Sequence, residues 1–168
     1  HEATHQLFQE TGPDIEDVGQ QQNFWALEGI ALYMESLRFH DGYCTLGGFE
    51  ANRLQYARYH KYINQFYVPL EKLLPFGQRE LQKHPDIRSL YSQSAGLAQF
   101  FMTSEQGRYR TAFIDYLRKL YHGRDQVQTL SALIEQPVAE LDRQYHDFLM
   151  VRDRDLAALP SETRLQKL

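Results

Sequence analysis

Apolar positions along this chain recur mainly at the three- and four-residue spacing of helices, and few stretches alternate in the strand period. In FWALEGIALYMESLRF, residues 24–39, the positions Phe24, Leu27, Ala31, Met34 and Leu37 share that spacing, and Asn23 is placed to cap the start. The same reasoning predicts helices over 1–9, 50–65, 87–104 behind a capping Asp86, 106–121 ahead of a stop at Gly123, 125–135, and 138–153 entered through Pro137. Thr11-Gly12-Pro13 is a stop signal for the first helix, and 14–22 is polar and loop-like. HDGYCTLGGF, with three glycines, reads as a turn or short extended piece. Pro69, Pro75 and Pro85 punctuate shorter helical pieces. The tail from Leu156 has less pattern. The expectation is a mainly α single domain over 1–155 with a tail over 156–168, and no internal repeat.

Composition narrows the classes of function. The chain has 168 residues, 42% of them apolar and 24% charged, which suits a globular core. The net charge of −4 comes from interleaved acids and bases, so no basic stripe marks a nucleic-acid surface. No run approaches the roughly 20 apolar residues of a membrane span. A single cysteine, Cys44, excludes an internal disulfide framework and any multi-cysteine metal site. A metal would have to use His, Asp or Glu.

The chain opens with such residues, in HEATH. Helical positions i and i+4 lie one above the other, so His1 and His5 can aim two imidazoles at one point. Zinc binds such nitrogens at about 2.0–2.1 Å, and Glu2 beside the first of them can reach a metal-bound water as general base. A catalytic zinc also needs a third protein ligand. Glu28 follows His5 with 22 residues between them, in the most apolar helix of the chain. A carboxylate there is costly to bury without a compensating charge. Gly29, costly in mid-helix, suggests a close approach, for which the His1–His5 helix is one candidate partner.

HEATH followed by Trp25-Ala26-Leu27-Glu28-Gly29 resembles the gluzincin zinc peptidases, with His-Glu-x-x-His on one helix and a Glu on the next. Through LYSQSAGLAQFFM, YRTAFIDYLRKLYHG and PVAELDRQYHDFL the chain is similar to the helical half of that fold. It looks closest to an uncharacterised bacterial group of gluzincin-like domains. The resemblance implies Zn2+ held by His1, His5 and Glu28, Glu2 as general base, and Tyr91 as the phenol that stabilises an oxyanion during hydrolysis of a peptide or protein substrate. It also implies an upstream β-sheet and segment and a secreted or cell-envelope setting. With that sheet absent and His1 carrying a free α-amino group at a frayed helix end, at most weak activity is expected of the chain as written. A helix carrying HEATH would normally begin before its first histidine. Where the thermolysin-like branch has an Asp one turn beyond the third ligand, Leu32 stands here, leaving Glu35 as a candidate support for a histidine.

Plainer readings stand beside these. His1 and His5 can be solvated side chains, and Glu28 can be a buried carboxylate paired with Arg53 or Arg58. Tyr91, Trp25 and Phe100-Phe101 can be packing residues. His40, His60, His84, His122 and His146 are expected at the surface or at helix ends. RLQYARYHKY is expected to turn a face to the core. The competing functions are a catalytically inactive gluzincin-like zinc-binding or interaction module, and a helical interaction domain with a fortuitous motif.

Overall fold

A computed structural model of the chain describes residues 1–10 and 17–150, together with a strand at 163–166. It is mainly α. The helices are α1 (Glu2–Glu10), α2 (Phe24–Met34), α3 (Asn52–Tyr62), α4 (Leu70–Leu73), α5 (Gln78–Gln82), α6 (Ile87–Thr103), α7 (Arg110–Tyr121), α8 (Thr129–Ile134) and α9 (Val138–Leu149). The strands β1 (Arg38–His40), β2 (Tyr43–Leu46) and β3 (Thr163–Gln166) form one antiparallel sheet in that order. Among the described residues no helix is long and apolar enough to cross a membrane. The predicted stop at 11–13 lies outside the described residues.

The core forms around α2 and α6. From Phe24 to Tyr33 every residue of α2 is buried, as expected of a helix that is apolar on all sides. Its closest neighbour is α6, which buries Leu90 and Ser92 through Phe101. Gly29 makes this approach possible: a Cβ there would stand 2.5 Å from the Ser94 carbonyl oxygen and 3.4 Å from the Ala98 Cβ. The glycine therefore serves contact with α6, not with the His1–His5 helix as the sequence suggested. Trp25 continues the core toward α7, with ring centroids 6.2 Å from Phe101 and Phe113 and 6.3 Å from Tyr116. Trp25, Phe100 and Phe101 are thus packing residues.

Element ends follow local chemistry, with some departures from the pattern. Asn23 does not cap α2 through its side chain; it sits in the left-handed region at φ 59°. Its Nδ2 instead donates to Asp125 Oδ2 at 2.7 Å, tying the start of α2 to the loop before α8. The helix predicted over 24–39 stops at Met34 because Ser36 turns the chain. Its hydroxyl donates to the Tyr33 carbonyl at 2.6 Å and accepts from Gly47 N at 2.8 Å. Residues 38–46 then form a hairpin pairing Arg38 with Thr45 and His40 with Tyr43 around Asp41-Gly42, where Gly42 takes φ +89°. Part of the expected tail is a strand: β3 pairs with β2, Leu46 opposite Thr163. On α3, Leu54 and Ala57 face the core as expected, but Tyr56, Tyr59 and Tyr62 are exposed.

Gly29→Ala tests the α2–α6 contact. Helix propensity alone favours Ala by about 1 kcal/mol. The backbone oxygen of Ser94 cannot retreat like a flexible side chain, so we expect a net loss of about 1–3 kcal/mol. Urea unfolding followed by circular dichroism reads this directly, and an unchanged or raised midpoint would contradict it.

Candidate metal centre

The three predicted ligands come together where α1 crosses α2. His1 is not itself helical, but its carbonyl accepts the Thr4 amide at 2.8 Å and starts α1. His5, one turn on, lies with its ring centroid 5.0 Å from that of His1. One ligand atom each from His1, His5 and Glu28 can be chosen so that all lie within 4.8 Å of one another, the one such group among the described residues. His1 Nε2 and Glu28 Oε2 are 3.3 Å apart. For two ligands about 2.0–2.1 Å from a tetrahedral ion, the separation is about 3.3–3.4 Å.

The far nitrogens of both rings are held. His1 Nδ1 lies 3.1 Å from Glu35 Oε1, so the carboxylate accepts its proton. This directs Nε2 and its lone pair at Glu28. His5 Nδ1 lies 3.2 Å from the Tyr121 hydroxyl, leaving Nε2 as the nitrogen available to a ligand sphere. Carboxylate and hydroxyl partners of this kind fix the tautomer and aim of metal-binding imidazoles. Glu35 is in turn gripped by Arg53, whose Nε and Nη2 donate to Oε2 at 2.9 and 2.8 Å. Arg53 therefore does not compensate Glu28, and the Arg58 guanidinium lies over the Phe49 ring at 4.4 Å.

The electrostatics describe a place short of positive charge. Glu28 is only 8% exposed. Burial, helped by the negative charge of Glu2, pushes its carboxyl up to about 7. Burial lowers the His5 pKa against the opposing pull of Glu2, favouring the neutral imidazole that a metal requires. An imidazole lone pair and a carboxylate oxygen at 3.3 Å repel unless a cation lies between them, and a proton or a metal ion can fill that role.

Glu2 is exposed on the first turn of α1, and its charge is felt at both Glu28 and His5. Tyr91, on α6, is half-buried. Burial and then the charge of Glu28 raise its pKa against a hydrogen bond with Gln82, so its phenol keeps its proton within the field of Glu28. Tyr121 feels the same two effects. Its ring also stacks on Phe8 of α1 with centroids 4.8 Å apart. The sequence reading missed Tyr121 and the role of Arg53. The one available signal for Tyr121 was its place in YRTAFIDYLRKLYHG, where it is one tyrosine among 11 in the chain. The other histidines sit elsewhere: His40 stacks on Tyr43, His122 Nδ1 donates to the Arg118 carbonyl, and His146 packs edge-on to Tyr67.

The raised Glu28 pKa gives a signed expectation. The folded protein holds this proton up to about pH 7, whereas an unfolded chain releases it near 4.5. Stability attached to Glu28 is therefore present below about pH 4.5 and lost as pH rises through about 7. In metal-free protein at pH 8, Glu28→Gln should stabilise by up to about 3 kcal/mol, while the gain should vanish at pH 4. Thermal melts of chelator-treated protein at the two pH values check this; a variant destabilised equally at both would contradict it. Comparisons of the chain with protein-family profiles, with curated proteins and with solved structures gave no significant match, so the functional reading rests on this geometry.

Proposed function

We propose that this chain carries the zinc-binding and helical part of a zinc-dependent peptide hydrolase of the gluzincin type. The observation that supports it best is the convergence of His1, His5 and Glu28, with the outer nitrogen of each imidazole bonded to a fixed partner. The donor set suits the ion: two neutral nitrogens and one carboxylate are a common catalytic zinc set. When bound in such a set, zinc lowers the pKa of a coordinated water to about 7 and polarises a carbonyl.

The chain's own residues then have distinct tasks. His1 and His5 bind through Nε2, oriented by Glu35 and Tyr121. Glu28 supplies the anionic ligand, and the metal would relieve the cost of burying its carboxylate. Glu2, exposed beside the ligands and not held by them, accepts a proton from the attacking water and returns it to the leaving amine. Tyr91, protonated and half-buried, donates a hydrogen bond to the oxygen on which negative charge develops. Glu2 also bears on the choice between a hydrolase and an inert zinc module, because a purely structural site has no use for an unbound carboxylate next to its first ligand.

Metal counting after removal of excess zinc is the first test. One zinc per chain is expected, with at least tenfold weaker retention in Glu28→Ala. Glu2→Gln should keep the zinc and lose about 10²–10⁴-fold of any peptide hydrolysis, and Tyr91→Phe should lower turnover with zinc retained. Equal zinc retention with and without Glu28 would remove the metal site. Hydrolysis indifferent to Glu2→Gln would remove the proposed base.

A further inference from the structure

A cavity of about 410 Å³, within the size range of small-ligand sites, has Glu35, the partner of His1, in its lining. The end of α2, the start of β1, Gly47 and the start of α3 form its walls, and Gln99 of α6 contributes to its lining. Glu35 stands in the wall between this cavity and His1. One carboxylate oxygen faces the imidazole, and the other is neutralised by Arg53, which also lines the cavity.

Arg38, on β1, is the second guanidinium in the lining, and its situation differs. Its Nη1 donates to the backbone carbonyls of Glu35 and Leu37, each at 3.2 Å. Those bonds hold the group in place without neutralising it. Among the described residues, no carboxylate forms an ion pair with Arg38. Glu50 is the other charged residue of the lining, so two acids and two bases surround the space. Net charge therefore does not single out one sign of ligand, and Arg38 is the lining cation without an acidic partner among the described residues.

We propose that this cavity is a substrate subsite in which Arg38 recognises a carboxylate of the peptide. The proposal rests on the peptide-hydrolase reading above. A guanidinium held by two carbonyls keeps its other N–H groups free for a planar, two-pronged bond to a carboxylate, at little further cost in side-chain order. One carboxylate, that of Glu35, lies between His1 and the cavity. A peptide rises about 3.3–3.6 Å per residue, and the acid is placed a few residues along the chain from the bond at the metal. The carboxylate can be the peptide's own C-terminus or an Asp or Glu side chain.

Zinc-loaded protein titrated with four blocked tripeptides separates these sources. The first pair is N-acetyl-Ala-Ala-Glu-amide against N-acetyl-Ala-Ala-Gln-amide, and the second is N-acetyl-Ala-Ala-Ala as free acid against its amide. Calorimetry at low ionic strength should show at least one acid bound tenfold or more tightly than its neutral mate, and the pair that differs names the source. Arg38→Gln should erase the preference and Arg38→Lys should keep part of it. Both changes fall on an exposed strand residue, and circular dichroism verifies the fold. Equal affinities within both pairs, or a preference that survives Arg38→Gln, would overturn the proposal. The hydrolase reading fails separately: an intact carboxylate preference with no cleavage of any peptide leaves the subsite standing and removes the peptidase. Cleavage without carboxylate preference does the reverse.

Discussion

A carboxylate sits inside the most completely buried helix of this protein, and the rest of the site follows from the need to compensate it. Glu28 cannot move outward, because α2 is buried from Phe24 to Tyr33 and is pressed onto the α6 backbone at Gly29. It cannot be neutralised by Arg53, which is committed to Glu35. What reaches it is the Nε2 of His1, whose own proton is held on the other side of the ring. The packing of α2 therefore holds a carboxyl group where a proton or a cation must balance it.

The first helix adds a second consequence. Only Thr4 of α1 is buried, so α1 contributes little apolar area to the core. Its attachment rests on His1 against Glu28 and Glu35, His5 against Tyr121, and Phe8 stacked on Tyr121. The residues that would hold a metal are thus the residues that hold the helix. Under the proposed zinc site, metal binding and helix docking would be one equilibrium, in which ligand binding to the folded form adds directly to stability. Arg53 and Glu35 would extend this coupling to the cavity, since one ion pair both holds the His1 imidazole and lines the space beyond it.

Several features are local and were legible in residue order. The mainly helical class came from apolar spacing, and the short extended piece around HDGYCTLGGF from its glycines. His1 and His5 share a face because helical geometry places i and i+4 together whatever surrounds them. An acid flanked by Trp25, Leu27, Ile30 and Leu32 announced its own burial cost. Where local signals competed with long-range contacts, they were poorer guides. Asn23 had the composition of a cap, but Asp125 offered its amide a partner more than 100 positions away. The apolar pattern through Phe39 continued past the true helix end, because the Ser36 hydroxyl and the Gly47 amide close the turn.

The sequence by itself determined the donor types, their spacing within α1, and the presence of a costly acid in α2, since each depends on neighbours along the chain. Tertiary structure decided which partners meet. It set Gly29 against Ser94 instead of α1, sent Arg53 to Glu35 instead of Glu28, and brought Tyr121 to His5 from 116 residues away. No local pattern encodes such pairings, because they depend on how whole helices cross, and crossing is set by the packing of side chains remote in sequence.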